Sequence, residues 1–92
     1  MPNPVKGTFS GTGTSAAIVG RQIAIRMDFA GTASVDVEVQ MPSGAWIKNA
    51  DATAITADYD EVYDRGVVTA LRLNCTAHTN NVEYSLSIGQ EG

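Results

Sequence analysis

Residues 22–41 read Gln22-Ile-Ala-Ile-Arg-Met-Asp-Phe-Ala-Gly-Thr-Ala-Ser-Val-Asp-Val-Glu-Val-Gln-Met41, and this stretch decides the fold class. Side chains on a strand alternate between its two faces, so a period of two marks a sheet with one buried and one solvated side. Ile23, Ile25, Met27 and Phe29 share one face, with Ala24, Arg26 and Asp28 on the other. After Ala30-Gly31-Thr32 the pattern resumes, with Val35, Val37, Val39 and Met41 set against Asp36, Glu38 and Gln40. The two runs predict strands over 22–29 and 34–41 joined as a hairpin.

The same period continues outward. Residues 69–77 place Leu71, Leu73, Cys75 and Ala77 inward and Arg72, Asn74 and Thr76 outward. A polar turn, His78-Thr79-Asn80-Asn81, leads to 82–88, where Val82, Tyr84, Leu86 and Ile88 share a face; this predicts a second hairpin. Pro42-Ser43-Gly44 has turn chemistry and precedes a short strand over 45–48 that carries Trp46, a core anchor by its average burial. Gly7, Gly11 and Gly13 make 7–14 a weakly specified edge strand, and 53–57 reads as a further short strand. Residues 59–64 are the one stretch that could be helical; too short to stand as a helix, they read as a loop or a single turn.

Strands at this spacing predict an all-β fold, a small antiparallel β-sandwich of jelly-roll-like topology with about seven to eight strands. Its expected core includes Ile25, Phe29, Val37, Trp46, Leu73, Tyr84 and Leu86. The 92 residues allow one domain: an extended arm over 1–6, then a single sandwich over 7–92.

Composition narrows the partner class. Hydrophobic residues at 43% suffice for a core, whereas charged residues at 17% fall below the usual quarter or so and suit protein contact. The net charge is −4 and the six Lys and Arg residues are scattered, which argues against nucleic acid or an anionic membrane as partner. Cys75 is the sole cysteine, so an internal disulfide is excluded. The Met-Pro-Asn-Pro start has no signal-peptide pattern, and no apolar run approaches the ~20 residues of a membrane helix.

Catalytic patterns fail one by one, and an enzyme is not expected. Cys75-x-x-His78 offers two metal ligands where a structural zinc site takes four and a catalytic one three. No serine sits in a Gly-x-Ser-x-Gly elbow, and Gly11-Thr12-Gly13-Thr14 lacks the lysine and following helix of a phosphate loop. Asp58, Asp60, Glu61 and Asp64 crowd one segment, yet the EF-hand spacing fails. Asn74-Cys75-Thr76 fits the glycosylation pattern, an accident in a chain with no signal peptide. No catalytic residue, metal ligand or cofactor is assigned. Tyr59, Val62 and Tyr63 interleave with the acids, either as a solvated loop capping the sandwich or as a contact loop, since tyrosine gives large contact area at low entropic cost.

Two segments then carry a resemblance: Val35-Asp-Val-Glu-Val-Gln-Met-Pro-Ser-Gly-Ala-Trp46, and Leu71-Arg-Leu-Asn-Cys-Thr-Ala77 followed by Val82-Glu-Tyr-Ser-Leu-Ser-Ile88. With the opening Gly7-Thr-Phe-Ser-Gly-Thr-Gly13, the chain resembles small all-β structural proteins of tailed-bacteriophage virions, the decoration or cement type. It departs from that group before Trp46, where Pro42-Ser43-Gly44 replaces a more acidic, Gly-rich turn. The resemblance implies a capsid decoration protein made in the bacterial host cytoplasm and located in the virion. The expected partners are the major capsid protein and copies of itself, as a homotrimer, with contacts at Pro2, Pro4 and Val5 of the arm and at Tyr59, Val62 and Tyr63 of the acidic segment. The competing expectation is a glycan-binding or fibre module in which Trp46, Tyr59 and Tyr63 stack on sugar.

Overall fold

The structure, a computed structural model, describes residues 4–50 and 52–88, with the backbone alone for residue 65. Its strands are β1 (Val5–Phe9), β2 (Gly13–Thr14), β3 (Ile18–Phe29), β4 (Ala33–Gln40), β5 (Trp46–Lys48), β6 (Tyr59–His78) and β7 (Val82–Ile88). The described residues contain no helix, and every strand pair is antiparallel. The protein is all-β.

One continuous ladder runs in the order β1–β7–β3–β6–β4–β5, with β2 also on β6. β3 and β6 are long because each serves both halves of it. Residues 22–27 of β3 pair with 59–64 of β6 beside β7, while residues 18–20 of β3 pair with 69–71 of β6 beside β4. The ladder slips between the two halves: Gly20 faces Thr69 and Gln22 faces Asp64, so residues 65–68 stand opposite Arg21 alone. Extra residues on one strand bend it and sharpen its twist. This bulge is where the sheet turns over.

At the other end the chain turns over twice more. The two expected hairpins do not form, because β3 pairs with β6 and β7 but not β4, and β7 pairs with β1 and β3 but not β6. Residues 30–32 and 79–81 instead arch from one layer to the other, and the arches bond to each other. Ala30 N–H donates to Asn81 O at 3.0 Å, and Thr79 and Asn80 N–H donate to Thr32 O at 3.0 and 2.8 Å. Thr32 N–H donates to Asn80 Oδ1 at 2.9 Å. An arch points the two strands' inward rows at each other, which builds a sandwich-like core from a single sheet. Ile23, Ile25, Met27, Val82 and Leu86 of one layer share that core with Val35, Val37, Leu71, Leu73 and Cys75 of the other. Phe29 and Tyr84 pack at its margin, partly exposed.

Three further expectations are corrected. Residues 59–64 are strand, not loop: Asp60 and Asp64 point outward and hold Arg26 and Gln22 across the ladder, at 3.1 and 2.9 Å. Residues 53–57 form no strand; Ile55 makes a single bridge to Val35, part of a segment that follows the β4 edge through Asn49, Ala52 and Ile55. Trp46 is not core. It stands opposite Gln40, so register places it on the outer face with Glu38 and Asp36, and Arg72 lies 4.4 Å over its ring. Average burial misled here because register, set by the Pro42-Ser43-Gly44 turn, decides the face.

The outer face of β4 is polar yet covered. Glu38 accepts from Arg72 Nε at 2.7 Å and from Asn74 Nδ2 at 3.1 Å. Asp36 accepts from Ala54 N–H at 2.7 Å and lies 3.7 Å from Lys48 Nζ. Buried carboxylates are tolerated when bonded in this way; Glu38 ties β4 to β6, and Asp36 holds the segment at Ala54 to the sheet.

Candidate docking surface

The bulge that turns the sheet over also leaves apolar side chains in water. Gly66 sits at φ +73°, in the left-handed region that costs other residues about 1–2 kcal/mol. Its N–H donates to Asp64 Oδ1 at 3.1 Å, and Asp64 Oδ2 accepts from Gln22 Nε2, so one carboxylate fixes the turn to β3. Thr69 Oγ1 donates back to Val67 O at 3.2 Å. Val67 and Val68, released from the alternation, are 61% and 62% exposed, and Val19 beside them is 59% exposed.

Two shallow depressions of about 420 and 440 Å³ meet at Val68. One is formed with Val19, Gly20 and Ile88, the other with Met41, Pro42 and Val67. Gly20 lets the Ile88 side chain lie close over the backbone there, its terminal methyl taking the space a Cβ would occupy. The result is a valine ridge on a pinned backbone, flanked by hollows of mixed lining in which Arg21, Gln40 and Thr69 accompany the apolar side chains. Val is stiff at χ1 and loses little rotamer freedom on burial, which suits a preformed contact surface. Fully burying one such side chain is worth about 1.5–3 kcal/mol.

The sequence-assigned contact residues fall in two places, the N-terminal ones at β1 and Tyr59, Val62 and Tyr63 together on β6. Pro4 is exposed ahead of β1, and Val5 and Lys6, expected in an extended arm, belong to that strand, paired with Leu86 and Ser85. Pro2 lies outside the described residues. Tyr59 and Tyr63 lean against the core from β6, on the far side of β7 and β3 from β1, and Val62 points outward from the same strand, 60% exposed. Val19, Val67 and Val68 were missed, although the sequence holds a signal. In Arg65-Gly-Val-Val68 two adjacent valines follow a glycine, and no strand can turn both to one face.

Elsewhere the chemistry is structural. Cys75 is buried, its thiol donating to Ala77 O at 3.4 Å, and burial pushes its pKa up. His78 pairs through Nε2 with Asn81 Oδ1 at 3.1 Å beside the arches. Among the described residues no group of three or more His, Cys, Asp or Glu is placed to hold a metal ion. A broad depression of about 640 Å³ on the outer face of β3 and β7 is lined by mixed charges, including the exposed Arg26–Asp60 pair. Exposed pairs of that kind are worth little.

No protein-family model, curated protein or solved structure matches this chain.

Proposed function

We propose that this chain is a protein-binding module that docks through its valine ridge on a larger assembly, serving as a decoration subunit of a tailed-phage head. The exposed cluster of Val19, Val67 and Val68 carries the docking half of this reading. Apolar side chains left in water on a pinned turn gain when another protein covers them. The phage assignment rests on the resemblance of the β4–β5 and β6–β7 segments to virion decoration proteins. In this reading several copies, as a trimer, bridge capsid subunits. A ligand that binds the assembled lattice stabilises it by mass action, and a site held at about a hundred times its Kd contributes about 2.7 kcal/mol.

Sugar stacking finds less support. It needs Trp46, Tyr59 and Tyr63 on one surface, whereas Trp46 lies under Arg72 on the outer face of one layer and both tyrosines lean on the core from the other.

The test is co-sedimentation of the purified chain with empty heads assembled from the capsid protein encoded in the same genome. The chain should pellet with the heads, and a Val67→Ser, Val68→Ser variant with an unchanged thermal transition should bind at least about tenfold more weakly. Equal binding by the folded variant, or no binding by either, would reject the proposal.

A further inference from the structure

We propose that the outer edge of β1 pairs antiparallel with the same strand of a second copy, Gly7 opposite Gly7, so that two sheets run on as one across a twofold seam. The seam is a contact of the free chain. β7 and β3 stand between β1 and the bulge of β6 in the ladder, and neither proposal depends on the other.

The backbone supplies the first argument. Among the described residues β1 has one strand partner, β7, and the ladder ends at β1. Such an edge presents unpaired N–H and C=O groups, a template for another strand. Its five residues span about 17 Å, and pairing about a twofold uses the same surface on both copies.

Symmetry and charge then fix the register. A twofold through the seam places one residue opposite itself and every other residue opposite one of its own row. Centred on Gly7, all five residues of β1 are paired; centred on Lys6 or Thr8, only three are. The Lys6 centre also sets two like charges face to face. In the Gly7 register Lys6 falls opposite Thr8 of the second copy, and the strand beyond that threonine carries Glu83 beside it. Two strand spacings are about 10 Å, a gap that the long Lys and Glu side chains close. On its other side Glu83 stands directly opposite Asp28, a like-charge pair that gains from each cation brought beside it. Lys6, Thr8, Asp28 and Glu83 are all exposed. The lysine that guards this edge against other registers therefore selects a second copy in this one.

The inward row agrees. Val5 falls opposite Phe9 of the second copy, which continues the apolar row across the seam. At the centre two glycines meet, and the space beside Gly7 is filled by the Tyr84 ring, packed on Phe9 with centroids 4.6 Å apart. A depression of about 370 Å³ lies at this edge, lined by Lys6, Gly7, Thr8, Glu83 and Tyr84.

Sedimentation equilibrium of the purified chain at low salt, carried up to about 1 mM, should show monomer and dimer. Lys6→Glu and Glu83→Lys each set like charges across the seam twice per dimer. Each should weaken the dimer at least about fivefold with an unchanged thermal transition, because both side chains are exposed. An equimolar mixture of the two variants should recover the parent's dimer, as a heterodimer in which opposite charges meet at both contacts. Pairing within one chain cannot produce that recovery. In the parent, amide exchange at residues 5–9 should slow as the concentration rises, a readout that needs no variant. Monomer at every concentration, trimer in place of dimer, an undiminished dimer of folded Lys6→Glu, no recovery on mixing, or exchange at 5–9 that ignores concentration would each overturn the assignment. Loss of head binding by the valine variant would leave it standing, because the two surfaces are read separately.

Discussion

Cys75 shows how a single residue's setting fixes its chemistry. The thiol is a small apolar filler at the heart of the core, and burial raises its pKa. A raised folded pKa means the native state holds the proton more tightly than the unfolded chain does. The stability this provides is complete below the unfolded thiol's pKa and is lost as the pH climbs through the folded value. Two outcomes are expected. Iodoacetamide at pH 8 should label native protein at least about tenfold more slowly than protein in denaturant. Urea midpoints should fall above about pH 9, less steeply in Cys75→Ala than in the parent, with the Tyr59 phenol, also raised, mainly by burial, supplying part of the remaining slope. Rapid native labelling would place Cys75 at the surface. The inward position of Cys75 was legible from alternation alone, whereas the outward position of Trp46 was not. A three-residue strand after a turn has too few residues to reveal its own register, so only its pairing with Gln40 places the indole under Arg72.

At the scale of elements, the strand-forming runs at 22–29, 34–41, 69–77 and 82–88 were readable and their partners were not. Alternation specifies which face a side chain takes, and that answer is the same whether two successive strands pair or arch. Asn80 links the two arches by accepting from Thr32 N–H, and a Cβ at Gly31 would collide with the Asn80 side chain. Asn80→Ala should therefore cost about 1–2 kcal/mol in urea unfolding, and Gly31→Ala a similar amount, with the double variant less destabilised than the sum because the collision is gone. Strict additivity would mean that the arches are independent turns. Residues 59–64 were misread because their acids suggested solvent. The acids belong to a strand, and β3 supplies Arg26 and Gln22 to meet two of them.

The whole molecule is a single sheet whose ends are turned over by two bonded arches and one bulge, and the bulge leaves valines standing in water. The all-β class follows from local alternation. The docking surface arises from a break in that alternation, at Gly66 and the two valines after it, and its meaning depends on which strand lies opposite. Docking by this ridge is the central claim, and amide-exchange footprinting of the chain free and bound to empty heads tests it most directly. Residues 65–68 have no ladder partner in the free protein and should exchange rapidly, then slow markedly on the heads together with 18–20, while the β1 edge stays unchanged. Protection confined to β1, or a bound footprint that spares 65–68, would contradict it.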